Sequence, residues 1–270
     1  MPQKYLSIDG VATLVHHRGP TTLPGSPPDL STGRSVVCCH DAGVDGTRFG
    51  PLLDALAEGH SPMAYDQPGH GRSAGLDSLG SIDGLVGHLR GIGTAWSLDG
   101  PVLVGEGLGA AMAVQAATEA PDWPSALVLV GDVGASYDVD AEIEQLSAIT
   151  AGKARREFDR SGYAPDTERP VYQQAFAAWV KTDPRATLGD RRAQAAWSLA
   201  SPPAVPTLIV TGAHQPEAEV ARAADLIGHL PAATHETLAG AGRHGVLEQP
   251  AALAALIDRF LADAANGGQR

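Results

Sequence analysis

The chain has 270 residues, enough for one large domain or two small ones and for a full hydrophobic core. Hydrophobic residues make up 43% and charged residues 19%, and the 32 glycines and 20 prolines imply many tight turns around an ordered core rather than disorder. A net charge of −12 supplies no basic face, so neither nucleic acid nor an anionic membrane is expected as a partner.

The first ten residues lack the basic-then-apolar layout of a signal peptide. No apolar run approaches the roughly 18 residues of a membrane span, and the expected location is the cytoplasm. The two cysteines, Cys38 and Cys39, are neighbours. That spacing excludes a disulfide framework and suits small buried hydrophobes.

In chain order, short apolar or β-branched runs bounded by Gly and Pro predict strands at 5–8, 12–16, 35–39, 62–65, 102–104, 126–130, 207–210 and 234–238. The first two are separated by Asp9 and Gly10, a turn that needs positive φ, so they predict an antiparallel hairpin. Residues 18–34, with Pro20, Pro24, Pro27 and Pro28, read as a long surface loop. Stretches of helical period at 49–57, 82–98, 108–119, 217–230 and 250–264 alternate with the later strands. That alternation predicts a mostly parallel eight-stranded sheet with helices on both faces.

Residues 132–205 break the pattern. Helical periods at 140–150, 171–181 and 186–199 follow one another without a strand between them. They predict a helical lid inserted after the sixth strand, over the carboxyl edge of a core made of 1–131 and 206–270, where open α/β sheets place ligands. Within the lid, Lys153, Arg155, Arg156 and Arg160 read as a basic helical piece, either a solvated face or a source of cations for a carboxylate. Phe158, Tyr163, Tyr172, Phe176, Trp179 and Trp197 suit either the lid's own core or an apolar pocket ceiling, for which Trp179 and Trp197 are the candidates.

The most informative stretch is VLVGEGLGAAMA at 102–113, an apolar strand that breaks at Gly105 into a helix of small residues. It is similar to a GxSxG nucleophile elbow, with Gly107 where the nucleophile would stand. Together with the strand ending at His40 and Asp41, the turn DQPGHGRS at 66–73, the segment 207–216 and the segment 238–250, it resembles the α/β-hydrolase fold over nearly the whole length.

That resemblance implies a Ser-His-acid triad and no metal or organic cofactor. The matching positions here are Gly107 for the nucleophile, Gln215 for the acid and Arg243 for the histidine, with His244 adjacent. Because both Gly107 and Gln215 depart, a natural divergence is favoured over an engineered Ser-to-Gly change. The resemblance also implies an oxyanion hole from the Ala42 and Leu108 amides.

Without a hydroxyl at 107, acyl-enzyme chemistry at that position is impossible. The remaining catalytic candidates are His244 as a base, Asp132 as a replacement acid or a helix cap, Asp41 as a partner for a histidine or a solvent-facing group, and His40, which could instead order its loop. Glu106 is a pocket candidate whose other reading is a structural hydrogen bond, and His70 reads as structural. The expectation is an enzyme working non-covalently on a small apolar substrate by lyase, isomerase, cyclase or water-activating chemistry. The alternatives are a non-catalytic ligand-binding protein and, disfavoured, a conventional serine esterase. Oligomeric state is not legible.

Overall fold

The structure, a computed structural model, describes residues 2–23, 25–133 and 139–267. It contains the expected eight strands: β1 Gln3–Ile8, β2 Val11–His17, β3 Ser35–Cys39, β4 Ser61–Tyr65, β5 Val102–Glu106, β6 Ala126–Val130, β7 Thr207–Gly212 and β8 Ala233–Leu238. They form one sheet in the order β1-β2-β4-β3-β5-β6-β7-β8. β1 and β2 pair antiparallel across Asp9 and Gly10, both at positive φ, and β2 pairs antiparallel with β4. Every later pair is parallel.

The central strands β3, β5 and β6 are apolar without alternation because helices cover both of their faces. On one face lie α2 (Ile82–Ala95), α3 (Leu108–Glu119) and α7 (Glu217–His229), packed on Met63, Leu103, Leu127 and Ile209. On the other lie α1 (Gly50–Leu56) and α9 (Pro250–Gly267), packed on Val36, Val104, Val128 and Leu208. Truncating a fully buried residue such as Leu103 to Ala costs about 2 to 5 kcal/mol.

Chain order reverses direction across the sheet between β3 and β5, which are paired with Cys39 opposite Gly105. The loops that leave these two strands therefore diverge and leave a crevice between their carboxyl ends.

Between β6 and β7 the chain forms α4 (Asp140–Thr150), α5 (Arg169–Lys181) and α6 (Pro184–Ala196). The basic stretch from Lys153 to Arg160 is not helical, against expectation. Gly152 at φ +71 ends α4 in a Schellman turn: the Gly152 amide donates to the Ile149 carbonyl at 2.9 Å and the Lys153 amide to the Ala148 carbonyl at 2.8 Å. Among the described residues no helix is long and apolar enough to cross a membrane.

Candidate functional site

Strand β5 ends at Glu106 and α3 begins at Leu108. Gly107 between them adopts φ +55, ψ −115, a conformation that disfavours any L side chain. The approach of helix to sheet is close enough that a Cβ at Gly109 would collide with the Cys39 carbonyl. Position 107 is closed for a different reason. A Cβ there would run into the carboxylate of Asp41, which reaches across from the end of β3.

Asp41 Oδ1 accepts the Ala42 amide at 2.8 Å and the Leu108 amide at 2.9 Å. These amides converge on one point, as expected of an oxyanion hole, but the anion they hold belongs to the chain itself. Arg191 of α6 adds Nη1 to Oδ1 at 3.0 Å and Nη2 to Oδ2 at 3.3 Å. Burial pushes the Asp41 carboxyl up, but the Arg191 cation and the four hydrogen bonds outweigh it and bring it down to about 2.

His40 is fully buried and both of its ring nitrogens are engaged by backbone. Nδ1–H donates to the Asp41 carbonyl at 2.7 Å, and Nε2 accepts the Gln67 amide at 3.0 Å. Burial and the neighbouring His70 lower its pKa, so it stays neutral and orders the loop that carries Asp41 and Ala42. This placement leaves it no free nitrogen for proton transfer.

His244 is the N-cap of the short helix α8 (Gly245–Glu248) and packs at a tilt against Tyr163, with ring centroids 4.3 Å apart. Its Nδ1 meets Arg48 Nη2. A guanidinium has no lone pair to offer, so Nδ1 accepts and the ring proton resides on Nε2. Glu106 Oε1, 3.6 Å from Nδ1, is beyond hydrogen-bond range. Burial, then the Arg48 cation, hold the His244 pKa below its ordinary value. The imidazole is thus neutral, with its lone pair occupied, and is better suited to donating a hydrogen bond than to removing a proton.

Arg48, from the 3₁₀ turn at Gly46–Phe49, is itself paired with Glu106 through Nε and through Nη2 at 2.9 Å, and both side chains are buried. Burial opposes ionisation of Glu106, but the Arg48 cation and its hydrogen bonds hold the Glu106 pKa below the usual carboxylate range. Glu106 therefore sits behind Arg48 and does not line the cavity.

The other candidates lie elsewhere. Arg243, at the histidine position of the resemblance, pairs with Glu219 of α7. Asp132 receives Arg222 Nε at 3.0 Å and Nη2 at 2.6 Å, and no hydrogen bond or ion pair links it to His244. Gln215 turns back on its own loop, its Oε1 accepting the Gly212 amide at 3.1 Å. Trp197 is not part of the ceiling: its indole N–H donates to Gln115 Oε1 at 3.0 Å, on the α3 side of the insert.

What remains is a cavity of about 260 Å³ whose walls include Asp41, Arg48, Tyr163, Trp179, Arg191 and His244. Arg48 and Arg191 gave no signal of their own in the linear reading. Arg191 had an indirect one: the buried face of α6 carries Thr187, Asp190, Arg191 and Gln194 at i, i+3, i+4 and i+7, a polar stripe where an apolar one is ordinary. Among the described residues no group of three or more His, Cys, Asp or Glu side chains is placed to hold a metal ion.

A model of the alpha/beta hydrolase family matches residues 36–256, which takes in the elbow, the His40 loop and the His244 segment. The chain belongs to that family. This alpha/beta hydrolase is also 30% identical over 269 residues to the polyketide synthase ThaQ of Burkholderia thailandensis, an alignment that spans 87% of this chain and 12% of that protein. It is 28% identical over 171 residues to the 2-hydroxy-6-oxo-2,4-heptadienoate hydrolase of Pseudomonas putida, spanning 56% of this chain and 61% of that one. The chain thus covers less than two thirds of either relative. Among solved structures, the enol-lactonase of Burkholderia xenovorans LB400 superposes with a TM-score of 0.76 at 21% identity, covering 96% of this chain and 99% of the lactonase, a likeness of fold.

Proposed function

We propose that this alpha/beta hydrolase is an enzyme of the non-serine kind, which acts on a small, largely apolar organic molecule without a covalent intermediate at the elbow. The observation that supports it most directly is the Asp41 carboxylate, which takes both oxyanion amides in the volume that a side chain at 107 would need. Acyl transfer requires a nucleophile at the elbow and an empty pair of amides. Neither is present.

Stabilisation of negative charge on the substrate then falls to other donors. His244, a neutral Nε2–H donor, and the guanidinium of Arg48 line the same cavity and suit an enolate or alkoxide that develops during isomerisation, elimination, cyclisation or attack by water. Asp41, with a pKa of about 2, is too weak a base to abstract an ordinary carbon-bound proton. The reading therefore favours substrates already activated next to a carbonyl. The helices between β6 and β7 serve as the lid, with Arg191 and Trp179 as its contributions to the site.

A second reading, a ligand-binding protein without catalysis, is favoured by the self-satisfaction of the polar groups: the amides are held by Asp41 and His244 by Arg48. The test is intact-mass spectrometry after a serine-directed fluorophosphonate, alongside a p-nitrophenyl ester assay. We expect unmodified protein and no burst, and a phosphonylated serine would overturn the non-serine assignment. Turnover of any ligand that His244→Phe abolishes while binding persists separates enzyme from receptor.

A further inference from the structure

Four guanidinium groups line the cavity, from Arg48, Arg156, Arg191 and Arg243. Three of them face carboxylates of the chain: Arg48 faces Glu106, Arg191 faces Asp41 and Glu142, and Arg243 faces Glu219. Arg156 does not. Its Nη1 donates to the Thr182 carbonyl at 2.8 Å and its Cζ lies 4.1 Å from the centroid of the Trp179 ring. Among the described residues no carboxylate forms an ion pair with it, although the group is half-buried. Burial lowers its pKa, and the charge of Asp183, itself committed to Arg185, opposes that shift.

We propose that Arg156 is the anchor for a ligand carboxylate, so that the molecule taken by this cavity is a small monocarboxylic acid with an aromatic or apolar body lying against Phe158 and Trp179. The inference rests on the reading of the cavity as a substrate site. A guanidinium that has lost part of its hydration without gaining a counter-ion is stabilised by an incoming carboxylate, whose two oxygens match its planar fork. The cation–π contact with Trp179 and the hydrogen bond to the Thr182 carbonyl hold that fork in place beforehand.

The charge of the walls selects a monoanion over a dianion such as phosphate. Asp41, Glu142, Glu157 and Asp159 also line the cavity. The first two share the single cation of Arg191, Asp159 accepts the Ser161 amide and hydroxyl, each at 2.8 Å, and Glu157 is exposed, where water and salt screen it. Among the described residues of the cavity wall, Arg156 alone offers a cation without an ion-paired carboxylate, which suits one added negative charge, and the surrounding carboxylates oppose a second. The body of the ligand is limited by volume: about 260 Å³ is below the roughly 300 to 1,000 Å³ of pockets for larger ligands. Phe158 and Trp179, edge to face at 5.6 Å, present aromatic surface on that side.

The experiment is calorimetric titration of the full chain at neutral pH with phenylacetate, phenylacetamide and phenyl phosphate as probes. The proteins are the natural sequence, Arg156→Gln, Arg156→Lys and, as a control at an exposed neighbour, Arg155→Gln. The acid should bind at least about tenfold more tightly than its amide, as one charge-assisted contact provides. Arg156→Gln should erase that preference, Arg156→Lys should retain part of it, and Arg155→Gln should leave it unchanged. Near-UV circular dichroism establishes that each variant is folded, and Arg156→Lys carries the test if Arg156→Gln is not.

Equal affinity for acid and amide, an acid preference that survives Arg156→Gln, tighter binding of phenyl phosphate, or no binding of the acid would each overturn the assignment. A phosphonylated serine found together with an Arg156-dependent acid preference would refute the non-serine reaction and leave the carboxylate anchor standing. The converse pair of results would do the reverse.

Discussion

The carboxylate of Asp41 and the missing side chain of Gly107 are one feature seen from two loops. Asp41 Oδ1, on the Ala42 and Leu108 amides, fills the volume into which a Cβ at 107 would project. Restoring a serine alone should therefore not restore a nucleophile. Gly107→Ser places a non-glycine residue at φ +55 and drives it against a fixed carboxylate, and we expect a loss of about 1 to 3 kcal/mol in urea unfolding with no esterase activity gained. In an Asp41→Gly background the same substitution should be milder. A penalty of equal size in both backgrounds would mean that the two positions do not compete.

Asp41 also sets an acid limit on stability. Its folded pKa of about 2 lies below the ordinary value of 3.8, so its contribution is fully present above pH 4 and is lost as pH falls toward 2. At about 1.4 kcal/mol per pH unit, the amount is of order 2 kcal/mol. Urea titrations of the natural chain and Asp41→Asn between pH 2 and 5 should converge at the acid end. Parallel curves would contradict this.

A second latch joins the insert to the core with the opposite pH sense. His70 Nε2 lies 3.0 Å from Asp190 Oδ2 of α6, both fully buried. Burial disfavours the imidazolium, but Asp190, the Pro68 carbonyl and Asp66 outweigh it and raise the His70 pKa; the neighbouring His40 ring, 5.1 Å away and tilted, stays neutral. A raised folded pKa means stability that is complete below about pH 6.5 and fades as pH rises through the folded value. Thermal melts of the natural chain should fall from pH 6.5 upward relative to Asp190→Asn, and identical slopes would remove the latch from the account.

The buried Arg48–Glu106 pair supports His244. Arg48→Met strands the Glu106 carboxylate and should cost about 3 to 5 kcal/mol, whereas Arg48→Met with Glu106→Gln should cost clearly less. In the single variant Arg48→Met the His244 pKa should rise, because the Arg48 cation that lowers it is gone while the Glu106 carboxylate that raises it remains. Imidazole nitrogen shifts in a pH titration read this directly, and a fall in that pKa would refute the assigned role of Arg48.

The sheet was legible because its signals are local. The runs of β3 and β6, and of β5 as far as Val104, are apolar at every buried position, and Asp9 with Gly10, both at positive φ, marks the β1–β2 turn. The elbow at 105–109 was legible for the same reason, since close approach of helix to strand demands small residues at fixed spacing. The basic stretch after α4 was misread as helical because a Schellman turn at Gly152 ends the helix within a few residues of it.

The sequence by itself determined that the fold is an α/β sheet with a helical insertion and that no hydroxyl stands at the elbow, since each rests on neighbouring residues and their spacing. Which charge meets which was decided by tertiary structure. Arg191 reaches Asp41 over 150 positions and Arg48 reaches His244 over 196, and with 31 acidic and 19 basic residues the chain offers far more possible pairings than it uses. The physical reason is burial: a buried charge must find its partner or be neutralised, and the partner is whichever side chain the folded backbone brings within about 3 Å.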